Sequence, residues 1–171
     1  METLVSFLRG YDTLSLRKIS GQHVTMVQDG FDTELDFQHL REKCLEELMV
    51  DIAVFLEPKT PNFDPAPLVG LLPKLGFGVF TIATLIPKLV LEGFMEARTK
   101  LRNYYYNVFG AETIQTIQGF IKANLNQSVA AKTMYMHRNT LNYRIDHFIA
   151  LAEIDVKSFS GAYAFHLLFS A

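Results

Sequence analysis

The chain has 171 residues, 49% hydrophobic and 20% charged. That is enough for one compact domain or two small ones with a real core, and it lies far from disordered composition. The formal net charge of −2 excludes a protein-wide positive field of the kind that gathers nucleic acid indiscriminately. Residues 1–110 carry 11 Lys+Arg against 14 Asp+Glu, and residues 111–171 carry 5 against 4, so any contact with a polyanion rests on local placement of a few cations. A single cysteine, Cys44, excludes an intrachain disulfide framework and a cysteine-built zinc site, and suits a reducing cytosol. Met1-Glu2 puts an acid where a signal peptide has a basic region. The thirteen uncharged residues between Lys74 and Lys88 end in Pro87 and are too few to span about 30 Å of hydrocarbon. A cytoplasmic protein with no membrane partner is expected.

In chain order, METLVSFLRG (1–10) has apolar residues at helical spacing and stops at Gly10, a short amphipathic helix or arm. QHVTMVQD (22–29) alternates and is rich in β-branched residues, which predicts a strand closed by an Asp29-Gly30 turn. Leu35, Leu40, Cys44, Leu45 and Leu48 mark one face of a helix over 35–48, with Glu34 and Asp36 at its dipole-favoured start. The apolar run 50–58, ended by Pro58, predicts a strand buried on both faces. Four prolines within 58–67 bar regular structure. A short helix is expected over Leu68–Leu75 and a third strand over Gly76–Leu85. A long helix is expected from Pro87 to about Asn107, stopped by Gly110. Beyond Gly110 every segment reads as helix, beginning with a stripe of Ile114, Ile117, Phe120, Ile121 and Leu125. The fold class is therefore α+β, with a small N-terminal α/β domain of about three strands (1–107) followed by an all-helical domain (108–171).

The richest segment is NQSVAAKTMYMHRNTLNYRIDHFIALAEI, 126–154. Asn126 is a good N-cap, and Val129, Ala130 and Ala131 open a short helix whose small side chains let a second helix cross it closely. Met134 and Met136 supply apolar contacts under a turn at Tyr135–Arg138. Leu141, Ile145, Phe148 and Ala152 then face inward, leaving Asn139, Asn142, Tyr143 and Asp146 outward. This pattern predicts a helix-turn-helix whose second helix carries His137, Arg138 and Asn139 at the amino end that reaches base edges in the major groove. Arg can bind guanine bidentately and Asn can bind adenine. The Ser128 and Thr140 hydroxyls suit phosphate.

NQSVAAKTMYMHRNTLNYRI resembles the C-terminal helix-turn-helix of PucR/CdaR-type bacterial transcriptional regulators, and MHRNTLNYRI is close to that family's hydrophobic-HRNTLxYR(L/I) signature. It is similar, more distantly, to the DNA-binding helices of Fis. The resemblance covers about 110–171, taking in the preceding helix and the closing loop and final helix. Upstream, the order of elements over 20–107 is compatible with the degenerate GGDEF-like domain of that family. The GGDEF string itself is absent, so cyclase chemistry is not expected. The chain departs from the family pattern at Asn142, where Arg or Lys is frequent, at Gln127, where an apolar residue is usual, and at Asp146, which adds an acid to the exposed face.

The resemblance implies a DNA-binding regulator with double-stranded DNA as partner; a homodimer is expected because one helix-turn-helix buries too little surface for tight specific binding, with dimerisation or sensing of an effector of unknown identity falling to the first domain. The expected contacts are His137, Arg138, Asn139, Asn142 and Tyr143 to DNA, with Ser128 and Thr140 to phosphate. The alternative is a non-enzymatic protein-interaction module that keeps the scaffold without tight DNA binding. For His137 the competing reading is a hydrogen bond that staples the turn; for Tyr143 it is packing on the helix flank. Arg144 lies near the buried stripe and reads as an ion pair, with Asp155 as candidate partner. Cys44 on an apolar helix face, with Glu46 and Glu47 near, reads as structural. His23, His39, His147 and His166 lack metal-ligand spacing, Gly76-Phe77-Gly78 lacks the rest of a phosphate loop, and no paired acid–base or nucleophile–base groups stand out. No catalytic residue, metal or cofactor is expected.

Overall fold

A computed structural model of the chain describes residues 1–28 and 35–170. The order of elements is α1 (Glu2–Leu8), β1 (Leu14–Ser20), β2 (His23–Gln28), α2 (Phe37–Leu48), β3 (Ala53–Phe55), α3 (Ala66–Val69), α4 (Leu72–Leu75), β4 (Gly78–Phe80), α5 (Ile82–Leu91), α6 (Met95–Lys122), α7 (Gln127–Thr133), α8 (Arg138–Ala152) and α9 (Phe159–Phe169). The fold is α+β; among the described residues four short strands form two separate two-stranded sheets, β1-β2 and β3-β4. Two compact units divide it: residues 1–54 with 77–79, and residues 55–76 with 80–171.

In the first unit β1 and β2 form an antiparallel hairpin, with Ser20 opposite His23 and a register shift between Leu16 and Lys18. Gly21 at the tip has φ +59°, a left-handed conformation that glycine takes without strain. β2 matches the expected strand; β1 was not anticipated. Helix α2 starts where Asp36 accepts hydrogen bonds from the backbone N–H groups of Gln38 and His39 at 2.9 and 3.0 Å, so Asp36 is the N-cap and not a first-turn acid. The expected Asp29-Gly30 turn and Glu34 lie outside the described residues. Leu8, Leu14 and Leu40 form a small core flanked by Leu4, Phe7, Tyr11, Val24, Met26, Leu35 and Phe37. Leu45, expected on this face, is exposed. Cys44 is fully buried, and burial first and Glu47 second push its thiol up, away from nucleophilic character. Arg41 grips Asp51 through two bonds of 2.7 Å, which hold that carboxyl below the usual range.

Two strand expectations are corrected. The run 50–58 is regular only over Ala53–Phe55, and all three residues are half-buried, because the sheet has one ladder partner and not two. The strand expected over 76–85 stops at Phe80. There Thr81 and Thr84 form a reciprocal capping box: the Thr84 N–H donates to Thr81 Oγ1 at 3.3 Å, and the Thr81 N–H donates to Thr84 Oγ1 at 2.9 Å. Such a pair satisfies two orphan donors and commits the chain to helix. Ile82, Leu85, Ile86 and Leu89 then stand at i, i+3, i+4 and i+7, each buried to 1% exposure or less. Pro87 lies inside α5 and starts nothing. The helix expected over Leu68–Leu75 is two single turns, α3 and α4.

The second unit packs α5 and α6 against α9. Arg98 of α6, itself buried, donates from Nε to the Leu167 carbonyl at 2.8 Å and from Nη2 to the Ser170 carbonyl. It thereby satisfies carbonyls that the end of α9 leaves unpaired. The long helix begins at Met95, not Pro87, and is interrupted at Gly110 as expected. Gly110 has φ 75° and ψ 159°, a region essentially closed to other residues. The expected boundary at 107/108 falls inside the first arm of α6, whose Tyr105 and Phe109 pack on Phe148 at ring distances of 6.1 and 4.7 Å. The compact units part earlier because those rings belong to the same core as α8.

Gly161 at the start of α9 has no room for a side chain, since a Cβ there would overlap the Asp155 carbonyl, a backbone group. Gly161→Ala is expected to cost about 2 kcal/mol or more by urea unfolding. Gly70→Ala, at a position with φ −63° where an added Cβ meets only the Ala66 carbonyl at 3.4 Å, should stay within about 0.5 kcal/mol of the parent.

Candidate nucleic-acid interface

Three helical segments build the site: the second arm of α6 (111–122), α7 and α8. Their shared core is Ile114, Ile117, Phe120, Ala130, Leu141, Ile145 and Phe148, all at 1% exposure or less. Asn126 caps α7 as expected, its side chain accepting from the Val129 N–H at 3.1 Å. Ala130 and Ala131 are buried against the neighbouring helices. At the other end of α7 the Met134 thioether occupies the space that a side chain at Gly119 would need, so α7 lies close on α6.

The turn runs over 134–137. Tyr135 takes φ +52° with its side chain almost wholly exposed, and the Met136 N–H returns to the Ala131 carbonyl at 2.9 Å. His137 is the N-cap of α8, its Nδ1 accepting from the Asn139 N–H at 3.2 Å. The stapling role of His137 is thus present in the structure, and it occupies Nδ1 and leaves Nε2 without a hydrogen-bond partner among the described residues.

Arg138, Asn139 and Thr140 form the exposed first turn of α8, and Ser128 is exposed in the first turn of α7. Tyr143 is 69% exposed, one turn further along, with its ring 5.9 Å from that of His147. Asn142 departs from the expected outward phase. It is half-buried, and its Oδ1 is enclosed with no hydrogen-bond partner among the described residues. Helical geometry explains this: residue 142 stands about 90° from the centre of the stripe made by 141, 145, 148 and 152, at the edge of the packed face.

The charged residues are organised in ways the sequence does not reveal. Arg144 makes an ion pair as expected, but with Glu112 (Nη2 to Oε2, 2.6 Å) and not with Asp155, and its Nη1 donates to Thr116 Oγ1 at 3.0 Å. Asp155 accepts from the Lys157 N–H instead. Asp146 is paired with Lys157 Nζ at 2.6 Å. Arg138 Nη2 donates to Gln127 Oε1 at 3.3 Å. A local signal existed for Glu112 and Thr116, which share a helix face at i and i+4. None existed for Lys157 or Gln127, each 11 positions from its partner across a turn or loop.

The backbone at Tyr135 supplies a test of the turn. A left-handed conformation costs a non-glycine residue about 1–2 kcal/mol, and the exposed Tyr135 ring regains little of it. Tyr135→Gly should therefore stabilise the chain by about 0.5–1 kcal/mol, read as a higher midpoint in denaturant, after allowing for the greater freedom of glycine in the unfolded chain.

Comparison with known proteins bears on this half of the chain. Residues 113–171 match the family described as the PucR C-terminal helix-turn-helix domain. The match does not extend to the GGDEF-like expectation for 20–107. Among curated relatives, the uncharacterized protein YxkF of Bacillus subtilis (strain 168) is 41% identical over 85 residues, covering 48% of this chain and 29% of its own length. The DNA-binding transcriptional activator AdeR of the same organism is 30% identical over 86 residues, covering 45% of this chain and 20% of its own. The chain thus spans less than a third of either relative. No solved structure matches it. Over residues 113–171 the chain is thus similar to helix-turn-helix domains of the PucR type.

Proposed function

We propose that the chain is a DNA-binding transcription regulator of the PucR/CdaR type that inserts the amino end of α8 into the major groove. The observation that carries this reading is the exposed first turn of α8, where Arg138, Asn139 and Thr140 project beside the exposed Ser128 of α7. The similarity to the activator AdeR supports it.

In this reading Arg138 binds a guanine edge and Asn139 an adenine edge. Ser128, Thr140 and the Nε2 side of His137 face phosphate, and Tyr143 lies along the backbone. Asn142 contributes through its exposed side only. Pairing of Asp146 with Lys157 and of Arg144 with Glu112 leaves Arg138, Lys122 and Lys132 as the cations of residues 111–170 that have no acidic partner among the described residues. A salt dependence of only about two to three counterions per protomer follows. Residues 1–107 are assigned dimerisation or effector sensing. One helix-turn-helix buries roughly 600–1,000 Å², too little for tight specific binding, so two copies on a palindrome with half-sites about 34–36 Å apart are assigned here. A cytoplasmic location accords with this role.

Polarisation titrations of genomic fragments at low salt test the proposal. Binding below about 10 µM is expected, and its absence across the fragments removes the reading. Arg138→Ala should weaken binding to the preferred fragment about tenfold or more. Sedimentation should show a dimer at micromolar concentration or on DNA; a strict one-to-one complex with a single half-site would overturn the dimeric part.

A further inference from the structure

We infer that Gln127 is a positioning residue for Arg138, setting the direction in which the guanidinium leaves α8 without reducing its charge. The inference rests on the DNA-binding reading above. Gln127 is the first residue of α7 and Arg138 the first of α8, so their hydrogen bond ties the two amino ends together across the turn. Gln127 is half-buried, which limits its own freedom, while Arg138 is exposed on a long side chain that has no other hydrogen-bond partner among the described residues.

The chemistry of the partner matters. Arg144 and Lys157 are held by carboxylates, Glu112 and Asp146, and their charges are neutralised in place. Arg138 is held by a neutral carboxamide. An amide oxygen accepts one N–H and leaves the full positive charge, together with the other guanidinium donors, available for a base edge. Restricting the rotamers of Arg138 before binding lowers the ordering cost paid on contact. Gln127 therefore acts on specific recognition, and has no direct part in general attraction to the DNA backbone.

The test uses the full chain and duplex DNA enriched from a randomised 20-base-pair pool by the parent protein, with a scrambled duplex as control. Gln127→Ala should weaken binding to the enriched duplex about three- to tenfold. It should leave binding to the scrambled duplex, the salt slope and the thermal midpoint unchanged. Gln127→Glu puts a carboxylate against Arg138, and should weaken binding to both duplexes and lower the salt slope by about one. Adding Gln127→Ala to Arg138→Ala should cause no further loss. If Arg138→Ala weakens binding and Gln127→Ala does not, this inference falls and the DNA-binding reading stands. If the two losses multiply, Gln127 contacts DNA by itself and the inference is overturned. Should Arg138→Ala bind as the parent does, or the pool yield no enriched duplex, the role given to α8 fails and the positioning role with it.

Discussion

The geometry of the C-terminal half depends on how closely α7 can approach the helices beneath it. Ala130 and Ala131 present only methyl groups to the packed face, and Gly119 presents no side chain to Met134. Bulk at Ala130 or Ala131 would press on the packed face, whereas bulk at Gly119 would meet the flexible Met134 thioether. Because the crossing is tight, the chain leaves α7 through a left-handed Tyr135 and re-enters helix at His137, whose imidazole replaces a hydroxyl or carboxylate as cap. Small side chains at the crossing thus let α7 lie close on the helices beneath it just ahead of that turn.

The electrostatics of the same region are economical. A chain with net charge −2 has no long-range pull on a polyanion, so what it offers must be local. Glu112 and Asp146 occupy two of the cations near α8, each at 2.6 Å. These partly exposed pairs add little stability. They settle where charge is available instead, by cancelling Arg144 and Lys157 on the flanks and leaving Arg138 at the tip. Asp146, which by sequence alone adds an acid to the exposed face of α8, has that charge answered by Lys157.

The helix-turn-helix was legible in the sequence because its signals are local and consistent. Asn126 as cap, the stripe of Leu141, Ile145, Phe148 and Ala152, and Gly110 as a stop each follow from one-dimensional patterns, and all appear in the structure. The N-terminal half was less legible. Its strands have three to seven residues, so few turns of alternation stand out, and the exposed residues of β1 carry no face pattern. Over 82–85, β-branched and apolar residues satisfied both a strand and a helix pattern, and the Thr81–Thr84 box decided for helix. In the site itself, exposure of Arg138, Asn139, Thr140 and Tyr143 followed from phase, whereas the enclosure of Asn142 and the partners of Arg138, Arg144 and Asp146 depend on neighbouring helices.

Support for α8 also comes from behind, and from outside the segment that matches the family. Phe148 is fully buried among Tyr105, Phe109 and Phe165, at ring distances of 6.1, 4.7 and 5.5 Å. Two of those rings lie before Gly110, on the first arm of α6, and one lies on α9. Burial around Tyr105 is dense enough to push its phenol far above the ordinary range. Gly110 is what makes this arrangement possible: the bend there lets one arm of α6 deliver rings to the back of α8 while the other carries Ile114, Ile117 and Phe120 to its flank. The cooperative structure that presents Arg138 therefore extends back through α5 and the first arm of α6. A segment beginning at residue 113 would hold the exposed first turn of α8 but lack two of the rings packed behind that helix.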